Sequence, residues 1–401
     1  MRFAHFADIH IGSWRDERLA KVSLEAFRIA VQTSIERKAD FVLVPGDVFN
    51  TSLPPMDQLK EVVRGLKRLS EADIPVYFIP GSHDFSPSGK TMLDVLEEAG
   101  LWIKVSRGNE VDGKLVLEYT TDERTGAKIT GILGKRGALD RTYYDLLDRE
   151  ALGKEKGFRI FLFHTAISEM KPAELKEMEA PPVSILPEGF DYYAGGHVHV
   201  VDNQSFSGRK NVVFPGPVFP NNFAEIEKLQ QGSMVIYEDG KIEHVAIKVK
   251  PIRSLTIDCA GKTPGEVQAG LEALATPDIK DHIVTLRLKG ELSEGRTVDI
   301  DFSAVFDLFM DAGAYVVMKN TAQLSGKEFE RITVKEGSVE SVESRIIDEH
   351  LGQKDIGKAK EDERSYIVDL MRQLDTQKQE GETQATYEER ISGLLESLLE
   401  N

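Results

Sequence analysis

The chain has 401 residues, 41% of them hydrophobic and 8% aromatic, values that exclude a disordered or fibrous protein and allow two or three domains of about 150 residues each. The 67 acidic against 50 basic residues leave a formal charge of −17. That balance argues against a generic polyanion binder, although bound divalent ions would invert the field locally. Cys259 is the single cysteine, so a disulfide framework and a thiolate metal cluster are both excluded, which suits a reducing cytoplasmic compartment.

The opening run Arg2-Phe3-Ala4-His5-Phe6-Ala7 reads as a strand and lacks the pattern of a signal peptide. No apolar stretch approaches the roughly 18–20 residues of a membrane span, so no membrane association is expected. Through residue 250, short apolar runs at 2–7, 41–44, 76–79, 158–163, 192–194, 212–214 and 233–237 alternate with helical patterns. Leu24, Phe27, Val31 and Ile35 form one helical stripe; Met56, Leu59, Val62, Val63, Leu66 and Leu69 form another. Both are expected to pack on a sheet in a layered α/β domain, with any surplus apolar face left for a dimer seam.

Residues 251–335 change rhythm. Strands are expected at 254–259, 282–288 and 315–318, and helices after the capping box Thr263-Pro264-Gly265-Glu266 and over 302–310. This is a small α/β cap domain. Residues 336–364 read as a linker whose charged end starts at Gln353. Two short amphipathic helices follow in 365–401, carrying Tyr366, Ile367, Leu370, Met371 and Leu374, then Tyr387, Ile391, Leu394, Leu395, Leu398 and Leu399. They either dock on the main body or lie in a partner's groove.

The chemistry-bearing residues cluster just past the apolar strands. They are Asp8-Ile9-His10, Gly46-Asp47, Gly81-Ser82-His83-Asp84, His164, and Gly195-Gly196-His197-Val198-His199. The carboxyl ends of strands in such sheets meet on one edge, where ligand sites form. Residues two apart on a strand end face the same side, so Asp8 and His10, or His197 and His199, can reach one cation. A lone histidine there is more often a satisfied polar residue; five clusters in order are a metal site. They are too many for one ion. A shared carboxylate, for which Asp47 is the natural bridge, would hold two ions about 3.5–4 Å apart, the arrangement that activates water and clamps a phosphoryl group. Nitrogen and oxygen donors without thiolates suit manganese, iron, cobalt or zinc.

This order of motifs resembles the calcineurin-like metallophosphoesterase signature. Phe3-Ala4-His5-Phe6-Ala7-Asp8-Ile9-His10-Ile11-Gly12 and Gly46-Asp47-Val48-Phe49-Asn50 are more narrowly similar to the DNA-repair nuclease subunits of the SbcD and meiotic-recombination-eleven family. The resemblance is motif-specific over residues 1–200 and architectural beyond 250. It implies a layered phosphoesterase sandwich with a cap domain and C-terminal helices. It also implies a manganese-dependent exo- or endonuclease acting on DNA ends and hairpins, and a homodimer seated on the helices near 56–69 and 91–99. The C-terminal helices would dock on an ABC-type coiled-coil ATPase. Carried over by position, Asp8, His10, Asp47 and His199 would hold one ion, and Asp47, Ser82, His164 and His197 the other. His83 would act on the phosphoryl group, with Asp84 orienting its ring. The family's Gly-Asn-His-Asp appears here with Ser82 in place of Asn, a histidine common in the family is Asn50, and its Pro-Gly-Ser is Pro215-Gly216-Pro217. Lys135, Arg136, Arg209 and Lys210 are loop cations that could meet phosphates or simply face solvent. Two other readings remain: a small-molecule phosphodiesterase or phosphatase with the same centre, and a weakly catalytic DNA-end scaffold.

Overall fold

The computed structural model describes residues 1–84, 91–135, 141–172, 179–326, 364–368, 370, 387 and 390–393. Two six-stranded sheets dominate it. The first runs, edge to edge, Lys241–Ile247 (β14), Gly232–Glu238 (β13), Arg2–His5 (β1), Phe41–Pro45 (β2), Val76–Ile79 (β3) and Ile103–Lys104 (β4). The second runs Val201–Phe206 (β11), Arg209–Pro215 (β12), Tyr192–Gly196 (β10), Arg159–His164 (β9), Lys128–Ile132 (β8) and Thr120–Thr121 (β7). The central pairs β1–β2, β2–β3, β12–β10, β10–β9 and β9–β8 are all parallel.

The continuous apolar runs of these strands are split by the two-residue period of the pleat. Phe3, Phe41, Leu43, Tyr77 and Ile79 of the first sheet meet Ile129, Ile160, Leu162, Tyr192, Ala194 and Val213 of the second in a shared core. The alternate residues Ala4, Val42, Val44, Val76 and Phe78 face outward onto Glu17–Glu36 (α1) and Met56–Glu71 (α2), through Phe27, Val31, Val62 and Leu66. On the other flank Phe161, Phe163, Tyr193, Val212 and Phe214 pack with Tyr144 of Arg141–Leu146 (α4), Leu152 of Arg149–Gly153 (α5) and Phe190. The result is the expected layered α/β sandwich. Met92–Glu98 (α3) precedes β4, and Gly108–Val111 (β5) pairs with Lys114–Leu117 (β6).

Beyond residue 250 a three-stranded sheet orders Ile252–Asp258 (β15), Ile283–Glu291 (β16) and Val316–Ser325 (β17), with β15 and β16 parallel. Phe223–Leu229 (α6) precedes it, and Pro264–Glu272 (α7) and Phe302–Asp311 (α8) connect its strands. The expected capping box forms: Thr263 N donates to Glu266 at 2.9 Å and Glu266 N to the Thr263 hydroxyl at 3.2 Å. The described residues divide into two compact units, one drawn from 1–258, 268–289 and 301–323, the other from 259–267, 290–300 and the described residues from 324 onward. The linker and most of the two expected C-terminal helices lie outside the described residues; those described, 364–368, 370, 387 and 390–393, are helical.

Candidate metal centre

The parallel strands β1, β2, β3, β9 and β10 end on one edge of the sandwich, and the loops leaving β1 and β2 continue to bond each other. Asp8 N donates to Gly46 O at 3.3 Å, His10 N to Asp47 O at 3.0 Å, and Asn50 N back to Ile11 O at 3.0 Å. Asp8, His10, Asp47 and His197 all adopt left-handed backbone, with φ of 50°, 45°, 54° and 90°. Each such residue costs on the order of 1–3 kcal/mol and persists only where its surroundings fix it. Here the backbone turn swings the side chain of every one of them into the same cluster.

The two carboxylates share a design. Asp8 Oδ1 accepts the His197 N–H at 2.9 Å, and Asp47 Oδ1 accepts the His83 N–H at 2.8 Å. That leaves Asp8 Oδ2 buried without a hydrogen-bond partner. It leaves Asp47 Oδ2 at 3.5 Å from His10 Nε2, 3.2 Å from His164 Nε2 and 3.3 Å from the Ser82 hydroxyl, which donates to it. The imidazoles are arranged likewise. His164 Nδ1 lies 2.8 Å from Pro45 O and His199 Nδ1 2.9 Å from Glu225 Oε1, so each ring carries a proton on Nδ1 and turns Nε2 inward. His199 Nε2 stands 3.3 Å from His10 Nε2. At that separation both ring nitrogens are close enough to turn towards a single cation.

Three overlapping ligand sets emerge, each with donor atoms within 4.8 Å: Asp8, His10 and His199; His10, Asp47 and His83; Asp47, His164 and His197. The structure therefore gathers every residue singled out as a ligand, with Asp47 central, and Ser82 beside it. Burial drives His10 down to about 3 and His197 to about 4, the neutral form a ligand needs. Burial also raises Asp8 to about 6. For Asp47 burial pushes upward, but the neighbouring His164 outweighs it and holds the carboxylate far below its ordinary value. The orphaned Asp8 Oδ2, and His164 Nε2, which lies near Asp47 without hydrogen-bond geometry, fit divalent cations.

Asp84 does not orient His83. Its oxygens accept the N–H groups of Phe49 at 3.1 Å, Val48 at 3.2 Å and Gly81 at 3.0 Å, so it pins the loop that carries Asp47. The turn after β3 folds Asp84 under that loop, where three otherwise orphaned backbone donors need an acceptor. His83 Nδ1 instead faces the Asn50 carbonyl at 3.0 Å. Arg209 is no loop cation either. It is buried at the start of β12, its guanidinium donating to Leu186 O at 2.8 Å and Ser184 O at 3.2 Å and pairing with Glu188 at 3.2 Å. Lys210 is exposed and Lys135 lies 4.4 Å over the Tyr143 ring; Arg136 is outside the described residues. Glu225 was not singled out from sequence, although Asn222-Phe223-Ala224-Glu225 has the spacing of a helix N-terminus.

Two glycines admit no side chain here. A Cβ on Gly46, which has φ of 91°, would sit 2.4 Å from His164 Nδ1; one on Gly81 would sit 2.3 Å from both Asp47 N and Oδ1. Gly81→Ala therefore displaces the central carboxylate through its own backbone. Metal content of the purified variant is expected to fall while its core strands persist; unchanged metal content would show that the Asp47 loop can yield.

The calcineurin-like phosphoesterase family model matches residues 1–201, half of the chain, and the chain belongs to that family. Within it, the chain is similar to the DNA double-strand break repair protein Mre11 of Archaeoglobus fulgidus, with 28% identity over 72% of this chain and 68% of that one. It is 29% identical to the protein of that name from Methanococcus maripaludis over 50% of this chain and 52% of the relative. To that of Thermoplasma acidophilum it is 26% identical, over 72% and 77%. The matched region thus spans between about half and three quarters of these relatives' length. No helix among the described residues is long and apolar enough to cross a membrane.

Proposed function

We propose that the chain is the metal-dependent nuclease subunit of a double-strand-break repair complex, hydrolysing DNA phosphodiesters. The observation that carries it is the cluster of two carboxylates and four imidazoles, in which Asp8 Oδ2 and His164 Nε2 are buried without a hydrogen-bond partner. One ion would be held by Asp8, His10, Asp47 and His199, and a second by Asp47, Ser82, His164 and His197. Bound divalent ions would supply a water of lowered pKa and Lewis acidity towards the phosphoryl oxygens. Manganese is the ion proposed. His83, half-buried beside the cluster and held through Nδ1 by Asn50, would donate to the phosphoryl group or the leaving oxygen. Asp84 would serve that centre only by fixing the loop of Asp47.

The DNA substrate, as ends or hairpins, rests on the likeness to the archaeal repair proteins. So do an ABC-type ATPase docked on the C-terminal helices, the cytoplasmic setting and the cap role of residues 251–335. A homodimer near α2 and α3 has further support, because Leu53, Met56 and Val95 there are 71%, 66% and 57% exposed.

The test pairs metal analysis of the purified chain with side-by-side assays on hairpin DNA and bis-p-nitrophenyl phosphate. Manganese-dependent DNA cleavage is expected. Hydrolysis of the small ester alone would replace this reading with a small-molecule phosphodiesterase, and metal binding without hydrolysis of either would leave a scaffold.

Metal uptake is expected to release protons. Burial pushes the His164 imidazolium down, but Asp47 outweighs it and pulls the group up to about 10. A raised value stabilises the metal-free fold below the ordinary 6.5 and loses that contribution as pH rises through about 10. An incoming ion must displace this proton, so apparent affinity rises with pH between about 7 and 9. Calorimetric titration in two buffers of different ionisation heat counts the protons; none released at pH 7 would contradict a protonated His164.

A further inference from the structure

Helix α6 faces two ways. At its first turn Glu225 holds His199 Nδ1 at 2.9 Å with one oxygen and the Asn221 N–H at 2.8 Å with the other. Asn222 caps the helix by accepting from Glu225 N at 3.0 Å, and its amide donates to Glu225 Oε1 at 2.6 Å. Two residues on, and so on a different flank, Glu227 takes Arg287 of β16 in a forked ion pair, Nε at 2.9 Å and Nη2 at 2.5 Å. The Arg287 guanidinium also lies 5.2 Å from the Phe223 ring centre. At the far end Gln230, in left-handed backbone, donates to the Ser254 hydroxyl of β15 at 2.9 Å.

A helix of seven residues does not hold itself together in water. Its place is set by Ile226, fully buried in the core, together with these ties, of which those of Phe223, Glu227 and Gln230 reach the three-stranded sheet. The contrast with His164 is instructive. That ring leans on the carbonyl of Pro45, part of a central strand, whereas His199 leans on a side chain carried by this small helix. The Glu227 and Arg287 side chains are only 16% and 23% exposed, so water and salt screen their pairing less than they would a surface ion pair.

We infer that α6 is a strut that positions His199: Glu225 sets the tautomer and angle of the ring for metal ligation, and the Glu227–Arg287 pair anchors the helix that carries Glu225. Arg287 touches no ligand, yet it sets ion affinity through Glu225. The inference rests on the proposed ligand role of His199. Glu225 and Arg287 are positioning residues, and substrate contact is asked of neither.

The experiment is calorimetric titration of Mn2+ into the full chain and its variants. Glu225→Ala is expected to weaken binding roughly 10- to 100-fold, the usual cost of losing the partner of a ligating histidine. Arg287→Ala weakens it roughly 3- to 10-fold, as couplings through an intermediary do. The double variant binds no more weakly than Glu225→Ala alone, because Arg287 acts through Glu225. A loss of packing alone would lower the unfolding temperature without producing that non-additivity. Wild-type affinity in Arg287→Ala, or losses that add in full, overturns the strut. Should Glu225→Ala fail to fold, Arg287→Ala and Glu227→Gln decide it: both weaken binding, or the inference falls. His199→Ala separates the two levels. If that variant binds Mn2+ like the wild type, the ligand role itself fails; if it binds weakly while the α6 variants do not, only the strut fails.

Discussion

Asp47→Asn is expected to abolish phosphodiester cleavage and to strip ions from both halves of the centre. Asp47 Oδ1 accepts the His83 N–H while Oδ2 faces His10, His164 and Ser82. A carboxamide has a single acceptor oxygen. If that oxygen keeps the His83 bond, the NH2 group points donors into a cluster built to receive cations; if it turns inward, two donors meet at His83 N. Either way the charge that offsets the repulsion between two ions is gone. The loss in rate should reach or exceed the roughly 10²–10³-fold typical of removing one electrostatic stabiliser. Elemental analysis and a nuclease assay on the same preparation check it. Full metal content with a normal rate would mean that Asp47 is not shared.

His83→Ala should do the opposite to the balance between binding and chemistry. The ring is half-buried at the rim, 4.8 Å centre to centre from that of His10, and its Nδ1 is tied to Asn50 O. The backbone N–H that secures Asp47 survives the substitution, so the ligand cage should remain. A group that donates a proton or steadies charge at the reacting phosphate contributes typically about 10²–10⁴-fold in rate, and a loss in that range is expected with metal content unchanged. If ions leave with the ring, His83 belongs to the ligand set, consistent with its place within reach of His10 and Asp47.

The two outcomes are opposite for neighbouring residues because each acts through different atoms. Asp47 works through both carboxylate oxygens, one structural and one inward. His83 lends its backbone to the cage and its ring to the chemistry. Gly81 has no side chain because Asp47 already occupies the volume.

The layered sandwich, its long helices α1 and α2, and the gathering of Asp8, His10, Asp47, Ser82, His83, His164, His197 and His199 on one edge were all legible in the sequence. The reason is local: parallel strands buried on both faces need unbroken apolar runs, and whatever polar residue ends such a run is delivered to the same rim. Strands such as β8 were not legible, because Lys128-Ile129-Thr130-Gly131-Ile132 earns its burial from β9 beside it and lacks a long apolar run of its own. Nor was the division of labour around the cluster. Asp84 reads like a partner for the adjacent His83, but only the folded turn shows it serving Val48, Phe49 and Gly81, which lie on two different loops. Arg209 reads as a surface cation until four acceptors surround it. Glu225 meets His199 across 26 residues, a pairing that no spacing announces. The residue types that can bind a metal ion were thus determined by the chain itself, as donors placed by strand periodicity. Which atom of each turns inward was decided only in the tertiary structure, because that depends on which backbone or side-chain partner, distant in sequence, takes the other atom first.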